Sequence, residues 1–170
     1  MSETVLIPIV LGTAREGCQS RKIAQAICDI LKERQDIEVQ FVDVKDYIHG
    51  RTIPPWEEHE ATQPWRDIVR QAKALLLVTP EYNHGYPGEL KLLLDQELDA
   101  YASKPVAVCT VSRGGFGGVR VFENLLPVLH ELGLNVVHQT LPVSKVEEFV
   151  KDDHFEKKVH ELADALLSAK

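Results

Sequence analysis

The chain has 170 residues, of which 44% are hydrophobic and 26% charged, with a formal net charge of -7. These values are typical of one globular domain, and the acidic balance disfavours bulk attraction to nucleic acid or to an anionic membrane. No run approaches the roughly 18 apolar residues of a membrane span and the N-terminus lacks a basic signal region, so we expect a cytoplasmic protein. The three cysteines lack the spacing of a disulfide framework or a zinc site, and no metal is predicted.

Hydrophobic periodicity predicts strands that alternate with helices along the chain. The first strand covers residues 4–12, and the second, 37–44, alternates in the way expected nearer a sheet edge. The third and fourth strands, 74–79 and 105–112, are continuously apolar and therefore central, and the fifth covers 134–139. Helical spacing predicts helices over 20–34, from about 65, from Pro87 through Leu98 to Tyr101, over 122–132 with a kink at Pro127, and from 155 onward.

This alternation indicates a single α/β domain over residues 1–170, built as a three-layer sandwich around a five-stranded parallel sheet. At this length the expected strand order is 2-1-3-4-5, which makes strands one, three and four neighbours. The loops that leave the carboxyl ends of those three strands should then lie side by side, at the edge where such sheets bind ligands.

The loop after the first strand, residues 12–22, reads GTAREGCQSRK. Its glycines, its hydroxyl groups and Arg15 precede the start of a helix, and helix N-termini and guanidinium groups both attract phosphate. The alternative is that Ser20 caps the helix while Arg15 and Arg21 are solvated. The loop matches neither the Walker-type nor the dinucleotide-binding glycine pattern.

The loops after the third and fourth strands are also unusual. Residues 78–90, VTPEYNHGYPGEL, crowd prolines, phenols and an amide into one connection, and residues 112–120, SRGGFGGVR, hold two glycine pairs. Paired glycines let a flat ligand approach the backbone closely. The three loops together offer an anion site, amide and aromatic groups, and bare backbone, which favours a phosphorylated planar cofactor.

The motifs in these loops resemble those of the NADPH-dependent FMN reductase family of flavodoxin-like proteins, which includes quinone, azo-dye and chromate reductases. The family pattern P-E-Y-N-x-S-x-P-G-x-L-K-x(3)-D is met from Pro80 to Asp95, with Gly85 in place of serine. The first-loop pattern G-[ST]-x-R-x(2)-S-x-N-R is also met, except that Cys18 and Ser20 stand where serine and asparagine are frequent. The glycines of residues 112–120 fit the third family loop.

The resemblance implies an FMN-dependent NAD(P)H oxidoreductase that reduces quinones, azo compounds, free flavin or similar small electron acceptors by ping-pong hydride transfer. The flavin carries this chemistry, so no catalytic side chain is expected. The family also implies a homodimer or homotetramer, with residues 48–64 at an interface or simply exposed. By the same resemblance, the cofactor-binding residues are Thr13, Arg15, Gln19 and Ser20 for the phosphate, Pro80, Glu81, Tyr82 and Asn83 for the ring, and Ser112, Arg113, Gly114 and Gly115 for its pyrimidine edge.

Two rival functions stay open at this point. A flavodoxin-type electron carrier also holds FMN, although its phosphate loop is typically rich in threonine and lacks the arginine found here. An FMN-binding sensor would retain the flavin without significant nicotinamide turnover, so oxidation of NADPH or NADH separates both rivals from the reductase. Arg113 and Arg120 could contact the 2′-phosphate of NADPH or merely be solvated.

Overall fold

Five strands form one parallel sheet in the computed structural model, which describes residues 4–169. The strand order is 2-1-3-4-5, which confirms the prediction. The strands are β1 (Val5–Leu11), β2 (Ile37–Asp43), β3 (Leu75–Pro80), β4 (Pro105–Val111) and β5 (Asn135–Val143).

Helices cover both faces of the sheet. The central strands are apolar on both faces, so each face must be shielded from water. One core lies between the sheet and two helices, α1 and α5, and a second core lies between the sheet and α2, α3 and α4. Within the described residues, no helix is long and apolar enough to cross a membrane. The helices are α1 (Ser20–Leu31), α2 (Gln63–Gln71), α3 (Gly88–Leu94), α4 (Val119–Glu131) and α5 (Asp153–Ser168).

The third helix ends earlier than its apolar spacing predicts. It stops at Leu94, and Leu98, which was expected on its buried face, is 44% exposed. Tyr101 instead lies in a short 3-10 turn, where its buried hydroxyl accepts a hydrogen bond of 2.9 Å from the Trp65 indole N–H. Glu97 accepts backbone N–H bonds from Leu98 and Ala100, and such local side-chain bonds compete with helix continuation.

Other boundaries also differ from the prediction, among them the end of α1 at Leu31 and the start of α4 at Val119. Pro87 precedes α3 in extended conformation instead of lying in its first turn, and β5 continues to Val143. Helix α4 runs through Pro127, where the predicted kink stays a prediction.

The loops after β1, β3 and β4 leave the sheet at a common edge. Leu11 is paired with Val78, and Val111 is paired with both Pro80 and Val143. Backbone hydrogen bonds continue the sheet one residue into each loop: Gly12 N–H to Val78 (2.9 Å), Glu81 N–H to Val111 (3.0 Å) and Ser112 N–H to Val143 (2.9 Å). This register fixes where each loop begins and brings the three loops together, as the strand order predicts.

Candidate cofactor site

A cleft of about 620 Å³ opens at this edge of the sheet, within the usual size range of small-molecule and cofactor sites. All three loops contribute to its walls, and the short turn after β5 adds a fourth segment. The lining residues are Arg15, Gly17, Cys18, Gln19, Ser20, Pro80, Glu81, Tyr82, Asn83, Val111, Ser112, Arg113, Val146 and Glu147.

The start of α1 forms one end of the cleft and suits an anion. Ser20 is the first helical residue and Gln19 precedes it, but neither side chain nor any other in residues 4–169 caps the helix. The interpretation of Ser20 as a capping residue is therefore wrong. The first turn also contains no acidic residue, so no carboxylate of the helix offsets the positive end of its dipole, which attracts phosphate. Among its first N–H groups, that of Arg21 already donates to the Cys18 carbonyl (3.4 Å).

Arg15 is the cation available at this end of the cleft. Its side chain is exposed, and it forms no ion pair within the described part of the chain. Arg21 is engaged elsewhere, in an ion pair with Asp43, a carboxylate that is only 4% exposed. This hydrogen bond is the main reason that the pKa of Arg21 is raised. Lys45 adds a second cation 3.6 Å from the same carboxylate.

Thr13 lies behind the cleft wall instead of facing the cleft. It is 1% exposed, and its hydroxyl is 3.2 Å from the Tyr82 hydroxyl and accepts a 3.3 Å bond from the Arg15 backbone N–H. Thr13 thus links the first loop to the loop after β3, and its contact with phosphate stays a prediction.

The loop after β3 makes a tight turn at Tyr82–Gly85. Tyr82 and Gly85 exchange backbone hydrogen bonds of 2.9 and 3.0 Å, and the two residues between them, Asn83 and His84, have positive φ values of 50° and 67°. Two such residues define a type I′ turn, for which Asn-Gly is the preferred pair. Asparagine and histidine tolerate this region better than most residues, but each still departs from the favoured backbone. The turn puts Asn83 at the cleft.

Glu81 faces the cleft but is anchored by α4. Its carboxylate accepts the Val121 N–H in the first turn of α4 (3.3 Å) and lies 3.9 Å from the Arg120 guanidinium. The positive helix end and Arg120 compensate its charge, so Glu81 contributes to the cleft without opposing a bound anion strongly. The sequence alone could not separate this side-chain role from a backbone role.

The loop after β4 lines the cleft with Ser112 and Arg113, and Arg113 forms a 2.5 Å ion pair with Glu147. Gly114 and Gly115 are not among the lining residues, and their contact with the pyrimidine edge stays a prediction. The second glycine pair has a structural role, because a Cβ atom on Gly117 would lie 2.7 Å from the Pro142 Cβ.

Five lining residues were absent from the sequence prediction. Two of them, Gly17 and Cys18, lie between β1 and α1, and Val111 is the last residue of β4. The other two, Val146 and Glu147, belong to the turn after β5. The Val146 N–H donates to the Ser112 carbonyl (3.1 Å), which joins that turn to the loop after β4. Since β5 is the parallel neighbour of β4, the predicted strand order was the signal that could have found this contribution. No group of potential metal ligands occurs in the described residues.

The strand order and a cleft at the switch point of the sheet define a flavodoxin-like α/β protein. The sequence profile of NADPH-dependent FMN reductases matches residues 5–148. The chain therefore belongs to the NADPH-dependent FMN reductase family, an oxidoreductase family that uses FMN and NAD(P)H. This confirms the family implied by the loop motifs.

Two curated relatives and one solved structure illustrate the similarity. The NAD(P)H-dependent FMN reductase LOT6 of Saccharomyces cerevisiae is 41% identical over 148 residues, covering 77% of this chain and 76% of that protein. A quinone reductase of Pseudomonas putida is 32% identical over 124 residues, covering 69% of this chain and 66% of that protein, just short of two thirds of its length. The flavoenzyme NAD(P)H:(acceptor) oxidoreductase FerB of Paracoccus denitrificans has the same fold, with a TM-score of 0.77, 18% identity and coverage of 98% and 99%.

Proposed function

We propose that this protein is an FMN-dependent NAD(P)H oxidoreductase that passes electrons from the nicotinamide to a small acceptor such as a quinone, an azo compound or free flavin. The observation that carries this proposal is the cleft at the sheet edge, which joins an uncapped helix N-terminus and an unpaired arginine, within residues 4–169, to the loop with the family motif. When bound, FMN supplies reversible two-electron chemistry, so both substrates can use one open face in turn, a ping-pong scheme.

The residues present fit FMN by charge and by hydrogen-bonding type. Arg15 and the first N–H groups of α1 would hold its phosphate, because a dianion is stabilised both by guanidinium and by helix N-termini. Gln19 and Ser20 line the same end of the cleft, and Pro80 to Asn83 would flank the ring. Ser112 and Arg113 line the opposite wall, where polar groups can meet the pyrimidine edge.

The chain's own contribution to the reaction is binding and orientation. Hydride transfer to a flavin needs no acid–base pair, so the cleft residues serve by fixing the ring and by stabilising negative charge that develops on it. Arg113 is held near the wall by Glu147 and provides positive charge there. The Thr13–Tyr82 link keeps the phosphate loop and the ring loop at a fixed separation.

Anaerobic reduction tests this proposal directly. The protein is loaded with FMN, freed of excess flavin and mixed with NADPH or NADH without oxygen, and the visible flavin absorbance is followed. We expect bleaching by at least one nucleotide and recolouring when a quinone is added. Bound FMN that neither nucleotide bleaches would favour the electron carrier or the sensor, and a protein that takes up no FMN would overturn the cofactor assignment.

Self-association into a homodimer or homotetramer is part of the same proposal. Trp56 is 83% exposed within residues 48–64, and large exposed apolar side chains favour an interface. The three cysteines, all in the described part of the chain, are free, which supports a reducing compartment such as the cytoplasm.

The cysteines provide a chemical test of where FMN binds. Cys28 and Cys109 are buried, and burial raises the pKa of Cys28 to about 12 and also raises the pKa of Cys109, so both should stay as unreactive thiols. Cys18 is partly exposed in the cleft. We expect Ellman's reagent at pH 8 to modify one thiol in the native protein and three after denaturation, and saturating FMN to slow the native reaction. Fast modification that FMN leaves unchanged would contradict the proposed position of the cofactor.

A further inference from the structure

The turn Tyr82–Gly85 is fastened to α4 from outside the cleft. At one end, the Glu81 carboxylate accepts the Val121 N–H. At the other end, the Asn124 side-chain amide donates a 2.8 Å hydrogen bond to the His84 carbonyl. Asn124 is exposed on α4, outside the set of residues that line the cleft, and lies 40 positions along the chain from His84.

The turn needs such a fastening because its sequence does not select its shape. A type I′ turn requires positive φ at both central residues, and glycine at the second position adopts this without a steric penalty. Here that position is His84, with φ of 67°. An isolated Tyr-Asn-His-Gly segment would populate other turns, so a bond to the His84 carbonyl favours the observed conformation over its competitors.

The Asn124 amide is itself held in a fixed orientation. The same nitrogen donates a second bond, 2.9 Å long, to the Arg120 carbonyl one helical turn earlier. The amide is therefore tied to the helix backbone and to the turn at once. Because α4 packs on the sheet through buried leucines, it offers a rigid support for the cofactor loop.

We propose that Asn124 is a positioning residue of the cofactor site, which holds the strained turn in the conformation that presents Asn83 to the cleft. This inference rests on the proposed function as far as FMN is concerned, but the hold on the turn exists in the cofactor-free protein. Loss of the Asn124 amide should loosen the turn first and weaken FMN binding as a consequence.

The first measurement needs no cofactor. In the apo-protein, hydrogen exchange of the Gly85 N–H, which is bonded to the Tyr82 carbonyl, reports opening of the turn. We expect N124A to speed this exchange about fivefold, as the loss of one ordinary hydrogen bond allows. The matched control is E123A at the neighbouring exposed position, which should exchange like the wild type. Unchanged exchange in N124A would overturn the proposal whether or not the protein binds FMN.

The second measurement is FMN affinity, in a double-mutant cycle with H84G. Glycine at position 84 supplies the preferred Asn-Gly pair, so the turn should no longer depend on the hydrogen bond from the Asn124 amide. We expect N124A to raise the FMN Kd about fivefold in the wild-type background, but less than twofold in the H84G background. An equal loss in both backgrounds, or a looser turn with unchanged Kd, would overturn the positioning role. A wild-type protein that binds no FMN would instead overturn the proposed function. Hydrogen exchange in the apo-protein would then still test whether Asn124 holds the turn.

Discussion

Replacing Arg15 with alanine is expected to weaken FMN binding by about 1.5–3 kcal/mol, or roughly ten- to hundredfold in Kd. Arg15 lines the phosphate end of the cleft, and it has no ion-pair partner among the residues that the structure describes. Its charge is therefore free to meet a phosphate without first leaving a carboxylate. The fold should be unaffected, because the side chain is exposed.

Titration of the apo-protein with FMN, followed by quenching of flavin fluorescence, measures this effect. K157A is the matched control: Lys157 is an exposed cation on α5 and does not line the cleft, so removal of its charge should leave the Kd unchanged. R15K should recover part of the affinity, because lysine keeps the charge but not the forked donor geometry. Equal Kd values for R15A and the wild type would refute the phosphate contact.

The position of the site could be predicted from the sequence because it depends on patterns of whole elements. Leu75–Val78 is a continuous apolar run, and such a run predicts a strand in the centre of a parallel sheet. All four residues are buried in the structure. Once the strand order is known, the loops after β1, β3 and β4 must meet at one edge. The family motif then narrowed the ligand from a phosphorylated planar molecule to FMN.

The orientation of individual side chains within the loops could not be predicted in the same way. Thr13 matches the family motif, but the motif does not predict that it is buried with its hydroxyl against that of Tyr82, a contact between residues 69 positions apart. The turn at Asn83 and His84 has histidine instead of glycine at its second central position, so the sequence does not indicate the positive φ found there. Such features depend on tertiary contacts, which local spacing does not encode.

The end of α3 illustrates the same limit in the fold. Leu90, Leu94, Leu98 and Tyr101 keep helical spacing, but the chain leaves the helix after Leu94. The buried Trp65–Tyr101 hydrogen bond and the Glu97 side chain stabilise a different path. Hydrophobic periodicity classes these side chains only as apolar or polar and does not encode the specific hydrogen bonds that they form.

The segment over 48–62 has little regular structure and yet follows a defined path. Arg66 on α2 holds it there. Arg66 is only 6% exposed, and its guanidinium donates to the carbonyls of Gln96 (2.8 Å), Glu57 (3.1 Å) and Pro54 (3.4 Å). It forms no ion pair within residues 4–169, so its role there is to connect two irregular segments through their backbone.

We therefore expect R66A to lower the free energy of unfolding by about 3 kcal/mol, since three carbonyls lose their donor and a cavity replaces the side chain. Urea unfolding of the apo-protein measures this, with R51A in the same segment as the control. Arg51 is exposed and lies 3.8 Å from the exposed Glu57 carboxylate, which limits its expected cost to below about 1 kcal/mol. R66K should stay close to R66A, because an ammonium group cannot span the three carbonyls in the geometry of a guanidinium. If R66A and R51A cost the same, the segment is held by its apolar contacts instead, and Arg66 is only a tolerated buried charge.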